Sequence, residues 1–343
     1  MKNEKKLSSY CKKGVSALVC ATLLTSGVGY GNIQILADTN INANSLYALQ
    51  DDADTSVQKV GQLYLTSAEG QKKTISELKK ADGNMDISVQ FNMPGEQASV
   101  ITNAAATIKV RGNTTSNAEK KPFNLKFSEK QNLYGMGSAK KYVLLANAYD
   151  PTLIRNAVAL SLAKELGIPY TSDFAYVDVY LDGKYNGNYM LVETVEAGAN
   201  RVELDLDHGD FLVQLEKERA EADSTYIDLN NEKKWISDYR FELKEPKIVN
   251  AGTAITAEQL EIQNKLQHVQ DVLLASDTTM ADIAKVIDLD SFVNYYIFAE
   301  YMKSVDAGYS SVYFYYKDGK LYAAPVWDFD LSMGNAGSYY TYG

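Results

Sequence analysis

Between residues 57 and 127 apolar side chains recur at every second position, in short runs separated by polar turns. Lys59 to Thr66 alternates in this way, and so does Met85 to Phe91. Ala106-Thr-Ile-Lys-Val110 runs directly into Arg111-Gly112-Asn113. Lys121-Pro-Phe-Asn-Leu-Lys-Phe127 sends Phe123, Leu125 and Phe127 to one side, and Asn124 and Lys126 to the other. A period of two does not suit a helix; it predicts strands with one buried and one wet face. Lys141 to Ala146 continues the series, followed by a hairpin of Phe174 to Leu181 and Asn188 to Glu193 around Asp182-Gly183-Lys184. Further strand-like segments cover Asp210 to Glu216, Thr225 to Leu229 and Tyr239 to Leu243.

Helical spacing appears in three places. Asp150-Pro151 opens a first helix, with Leu153, Ala157, Leu160, Ala163 and Leu166 on one face and Gly167 beyond its last turn. An acidic cap followed by proline at the first helical position is a favourable start. Ala257 to Ala275 and Met280 to Lys303 follow after Pro246. A last hairpin, Ser311 to Tyr316 and Leu321 to Val326, turns at Lys317-Asp318-Gly319-Lys320 and leads into Trp327-Asp328-Phe329-Asp330. The order predicts an α+β fold of two lobes: sheet-rich over residues 57–246, helical over 250–343. The chain stops at Gly343 in a Gly/Ser/Tyr tail without a closing element, so the full gene product is expected to continue.

The start of the chain is of another kind. Five lysines precede an apolar run from Val15 to about Val28, and Ala37 stands before Asp38. A basic head, a short apolar middle and a small residue read as a secretory signal peptide over residues 1–37, with 38–56 as a flexible lead-in. The run is too short to span a bilayer, and no later segment is longer, so no stable membrane span is expected after signal removal. The expected location is secreted or cell-surface.

Export also changes the chemistry available. Both cysteines, Cys11 and Cys20, leave with the signal, which excludes disulfides, thiolate metal sites and cysteine nucleophiles. The 343-residue chain has a net charge of −10, and losing five lysines and one glutamate brings it to −14. Such a surface argues against nucleic acid as a partner. His208 and His268 alone remain, 60 residues apart, so a histidine-based metal site or Ser-His triad is not expected. The 25 tyrosines, against 10 Phe and 2 Trp, suit half-buried sheet faces where a ring is covered and a hydroxyl finds a partner.

Carboxylates carry the candidate chemistry. In Pro325-Val-Trp-Asp328-Phe-Asp330 alternation sends both acids to one side, an oxygen-rich site of the kind that suits Mg²⁺. The same residues also read as a solvated acidic turn. Asp306, 22 positions before Asp328, is brought back by the hairpin. Two carboxylates about 4 Å apart repel by about 4 kcal/mol at an effective dielectric of 20, so a close pair implies a cation or a raised pKa. Arg111-Gly112-Asn113-Thr114-Thr115 and Lys120-Lys-Pro-Phe-Asn-Leu-Lys126 offer amides and cations to an anion, or read simply as a basic β-turn.

Taken in order, five blocks resemble the CotH kinase family, named for spore coat protein H. They are Lys109-Val-Arg-Gly-Asn-Thr114; Lys120 to Lys126; Tyr142 to Asp150 with Leu153-Ile-Arg-Asn156; Val177 to Gly187 with Tyr189-Met-Leu-Val-Glu193; and Tyr313-Phe-Tyr through Pro325-Val-Trp-Asp-Phe-Asp-Leu331. The resemblance implies a kinase-like two-lobed fold that binds ATP and Mg²⁺. It implies Lys126 and Arg111 at the phosphates, Glu193 at the end of the strand beside the base, and Asp306 as the catalytic aspartate. Asp328 would hold magnesium, with Asp330 as a second ligand. Where established kinases of the family have an asparagine for the second metal, this chain has Ser311 (or Ser310), a weaker ligand.

Three functions are compatible with this reading. The first is a secreted kinase transferring the γ-phosphate of ATP to Ser or Thr of exported or cell-surface proteins. The second is a catalytically weak scaffold of the same family, favoured by the serine and by the scarcity of ATP outside cells. The third is a carbohydrate-active enzyme using two of Asp306, Asp328 and Asp330 in a tyrosine-lined groove.

Overall fold

A computed structural model describes residues 60–94, 100–216, 224–230, 240–248 and 255–336. The expected signal peptide and lead-in, residues 1–56, lie outside the described residues. The chain divides into two compact units: residues 60–158 with 172–195, and residues 159–171 with 196–336.

The first unit is a closed barrel of seven strands. Gly61–Ser67 (β1), Met85–Asn92 (β2), Ile101–Val110 (β3), Phe123–Gln131 (β4) and Ala139–Leu145 (β5) follow one another, and Lys184–Glu193 (β7) and Phe174–Leu181 (β6) complete the circle. Neighbours are antiparallel except at the closure, where β1 runs parallel to β6 with Tyr64 opposite Tyr180. Closure leaves no unpaired edge. The inward positions of β1, β2 and β4 are the alternating apolar ones; Leu63, Leu65, Phe91, Phe123, Leu125 and Phe127 are all at most 1% exposed.

Two tyrosines help to fill this core. The buried Tyr142 donates its hydroxyl to the Gln131 carbonyl at 2.7 Å, and Tyr189 donates to the Lys121 carbonyl at 3.0 Å. Each ring is therefore covered while its polar atom is satisfied, which is the condition for burying a phenol.

The helix Arg155–Glu165 (α1) begins four residues later than Asp150-Pro151 suggests. Asp150 still serves its start. Its carboxylate accepts from the amides of Thr152 and Arg155 and from the Thr152 hydroxyl, and it pairs with the Arg155 guanidinium. The Pro151-Thr152-Leu153 turn is thus folded onto the cap and precedes the helix.

The second unit corrects the expected fold class. It is not a helical lobe, and the protein is not a kinase-like two-lobed α+β fold. Phe211–Glu216 (β8), Thr225–Ile227 (β9), Arg240–Glu245 (β10), Val312–Lys317 (β11) and Lys320–Tyr322 (β12) form one five-stranded sheet in the order β12-β11-β8-β10-β9. Its central pairing sets Val312 opposite Leu215 and Phe314 opposite Val213. These strands lie about a hundred residues apart in the chain, so local periodicity shows each strand but not that they belong together. With the barrel, the protein is sheet-rich, and its described residues contain only four α-helices.

The other three helices are Ala257–Leu274 (α2), Met280–Val286 (α3) and Leu289–Met302 (α4). Ile262, Leu266, Val269 and Leu273 make the buried stripe of α2, at helical spacing. On α4 the buried face is Phe292, Tyr295, Phe298, Ala299 and Met302. Phe292 lies 5.8 Å from the Phe314 ring, centroid to centroid, which places α4 against β11. No described helix is long and apolar enough to cross a membrane.

Candidate functional site

The acids of interest stand at the ends of α4 and of the β11–β12 hairpin. The hairpin turns through Asp318 and Gly319, both at positive φ, as a two-residue turn between twisted strands requires. Beyond β12, Ala323 to Trp327 is buried but makes no strand ladder, and at Asp328 the backbone enters the left-handed region at φ 71°. Strict alternation from Asp328 to Asp330 therefore ends where the acids begin. Phe329, between them, is buried and meets the Phe298 ring edge-on at 5.2 Å. Met333 donates its amide to the Met302 carbonyl at 2.7 Å. Two contacts thus hold the acidic segment against the last turns of α4.

Helix α4 ends at Lys303, itself left-handed at φ 50°, and the chain turns through Asp306 before β11. The Asp306 carbonyl accepts from the amides of Tyr309 (2.8 Å) and Ser310 (3.1 Å), closing the turn. Asp306 also acts on Tyr295 of α4: burial and the negative charge of Asp306 together push that phenol well above its ordinary range. Asp306 and the segment bearing Asp328 thus both act on residues of α4.

Two consecutive serines complete the arrangement. Ser311, at φ 59°, donates its hydroxyl to Asp328 Oδ2 at 3.1 Å. The buried Ser310 donates to the buried carboxylate of Glu216, 3.2–3.3 Å from its two oxygens. Gln214 Nε2 donates to Glu216 Oε2 at 3.2 Å.

On the barrel, Arg111 follows the last residue of β3, and its amide donates to the Pro122 carbonyl at 3.0 Å. Gly112 stands at φ +84°, and a Cβ there would meet Thr115 Oγ1 at 2.0 Å, so this turn needs glycine. Lys126 is exposed on the outward side of β4 between buried Leu125 and Phe127, while the buried Glu193 at the end of β7 accepts the Asp173 amide at 2.7 Å.

A family model described as CotH kinase protein matches residues 108–340, well over half of the sequence. The chain belongs to the CotH kinase protein family. No protein of curated function matches it. The family is described as one of kinases. The match begins within β3 and takes in every residue named above as a candidate.

In this CotH chain the structure brings Ser311 and Asp328 into direct contact and places Asp306 on the same turn as Ser310. Asp330 lies two residues past Asp328, its carbonyl accepting from Asn335 Nδ2 at 2.7 Å. Arg111, Lys126 and Glu193 belong to the barrel unit. Sequence reasoning missed two residues. Glu216 closes an apolar strand, and only the β8–β11 register, which sets Leu215 opposite Val312, brings it beside Ser310. Lys120 was one of several basic residues in its block. Its ammonium bonds the Ala146 carbonyl at 3.0 Å and the Asn188 carbonyl and lies over the Tyr189 ring, and burial lowers its pKa.

The oxygen groups at Asp328 are of the chemical kind that magnesium takes. Among the described residues no three His, Cys, Asp or Glu side chains gather to enclose a cation. Asp328 and the Ser311 hydroxyl in contact with it are hard oxygen groups. Mg²⁺ is ordinarily held by one or two carboxylates with water and substrate phosphates filling the rest.

Proposed function

We propose that this CotH chain is an exported, Mg-ATP-dependent kinase that phosphorylates Ser or Thr hydroxyls of exported or cell-surface proteins. The observation carrying the reading is the Ser311–Asp328 contact beside the Asp306 turn, within a chain of a kinase family. Export rests on the basic, then apolar, then small-residue pattern of residues 1–37.

Asp306 orients the acceptor hydroxyl and takes its proton as the oxygen attacks the γ-phosphorus; the new O–P bond forms while the bond to the β-phosphate oxygen breaks and ADP leaves. Asp328 would hold magnesium, with Asp330 and Ser311 as further oxygen donors. Bound there, magnesium would supply positive charge against that of the phosphates.

A second reading, a scaffold of the same family with little turnover, is favoured by one observation. The residue at the family's asparagine position is a serine whose hydroxyl proton is already given to Asp328. Transfer of labelled phosphate from ATP to an exported-protein extract, or to the chain itself, decides between them. The kinase reading expects transfer by wild type and its loss in Asp306→Ala. Mg-ATP binding without transfer supports the scaffold.

A further inference from the structure

The two serines ahead of β11 each engage a carboxylate from a different part of the sheet unit. Ser310 bonds Glu216 at the end of β8, and Ser311 bonds Asp328 beyond β12. Both Glu216 and Ser310 are at least nine-tenths buried, at 6% and 4% exposure. A hydroxyl and a carboxylate held together away from water keep a fixed geometry, because separating them leaves a desolvated group without its partner. The Ser310 amide also donates to the Asp306 carbonyl. Fixing Ser310 therefore fixes the turn from which Asp306 projects.

We infer that Ser310 and Ser311 form a brace setting Asp306 relative to Asp328, and that Glu216, acting through Ser310, is a positioning residue for Asp306. The inference rests on the phosphotransfer reading above and deepens it, since it gives a role to a buried acid that the reading leaves unused. Glu216 acts here as a hydrogen-bond acceptor. Glutamine keeps an oxygen at the same distance and should substitute for it, whereas alanine should not. Ser310→Ala removes the other half of the pair with little change in volume, so it reports on the brace even if Glu216→Ala folds poorly.

The test combines hydrogen–deuterium exchange over residues 303–311 with phosphotransfer kinetics on wild type, Glu216→Gln, Glu216→Ala, Ser310→Ala and the double alanine variant. The brace predicts at least tenfold faster exchange of the Tyr309 and Ser310 amides in either single alanine variant. The double variant should be no faster than the single ones, because the two residues act as one unit. Glu216→Gln should stay within about twofold of wild type. In transfer assays the alanine variants should lose at least tenfold in kcat with KM for Mg-ATP changed less than threefold. Unchanged exchange in folded Ser310→Ala, or additive effects in the double variant, overturns the brace. A wild type that transfers no phosphate while its exchange follows the predicted pattern overturns the kinase reading and removes the catalytic role of Glu216, leaving a structural pair. Exchange and kinetics thus separate the two failures.

Discussion

Ser311 donates its hydroxyl to Asp328 Oδ2 across 3.1 Å, and both residues hold left-handed backbone, at φ 59° and 71°. Non-glycine residues in that region carry local strain. The contact fixes which way the Asp328 carboxylate faces.

Removing the hydroxyl should therefore weaken the grip on magnesium nucleotide without unfolding the chain. Ser311→Ala is expected to reduce Mg-ATP affinity about three- to tenfold, the range of one hydrogen bond of about 1 kcal/mol. Ser311→Asn should keep or raise the affinity. Isothermal calorimetry of the two variants checks this; equal affinities for Ser311→Ala and wild type would remove the hydroxyl from the account.

Barrel closure depends on one parallel pair of strands. Tyr64 and Tyr180, opposite one another on β1 and β6, stack at 4.6 Å with their planes 17° apart. A cross-strand aromatic pair contributes about 1 kcal/mol beyond the area it covers. Tyr64→Ala should lower stability by about 2 kcal/mol in urea unfolding, and Tyr64→Phe by much less, because the stack needs the ring and not the hydroxyl.

Acid should act through Asp150. Burial opposes its ionisation, but bonds from Thr152 and Arg155 outweigh it and hold the carboxyl below its ordinary range. A group with a lowered folded pKa contributes stability that is present above the unfolded carboxylate pKa of about 4 and is lost as pH falls through the folded value. Asp150→Asn should be less stable at neutral pH and show a flatter decline of Tm between about pH 5 and pH 2. Parallel Tm curves for wild type and variant would show that this acid does not contribute to the acid limb.

The two lysines of the Lys120–Lys126 block should behave oppositely. Lys126 is exposed, so Lys126→Ala should leave stability within about 0.5 kcal/mol, as surface changes do. Lys120 binds two carbonyls and covers Tyr189, so Lys120→Ala should destabilise the barrel by about 2 kcal/mol. Thermal unfolding of the two variants separates a surface lysine from a structural one.

Local pattern carried much of this molecule. The alternation of Phe123, Leu125 and Phe127 marks β4 and its buried side, and Asp318-Gly319 marks the turn of the β11–β12 hairpin. Partnership between distant strands was hidden. Nothing near β1 shows that it pairs in parallel with β6, and nothing near β8 shows that it lies beside β11, so the second unit read as helical from α2 and α4 alone. Backbone departures were equally silent. Alternation set Asp328 and Asp330 on one face, yet the backbone turns left-handed at Asp328, next to a Phe329 that packs on Phe298 from a distant helix. Glu216 became visible as part of the site only through the β8–β11 register.

The central claim is that Asp328 anchors a magnesium nucleotide. Thermal unfolding of wild type and Asp328→Ala, each with and without millimolar Mg-ATP, tests it most directly. The account predicts a rise of several degrees in the Tm of wild type and none in the variant, with both proteins folded alike without nucleotide. Equal rises in the two proteins, or no rise in wild type, would contradict it.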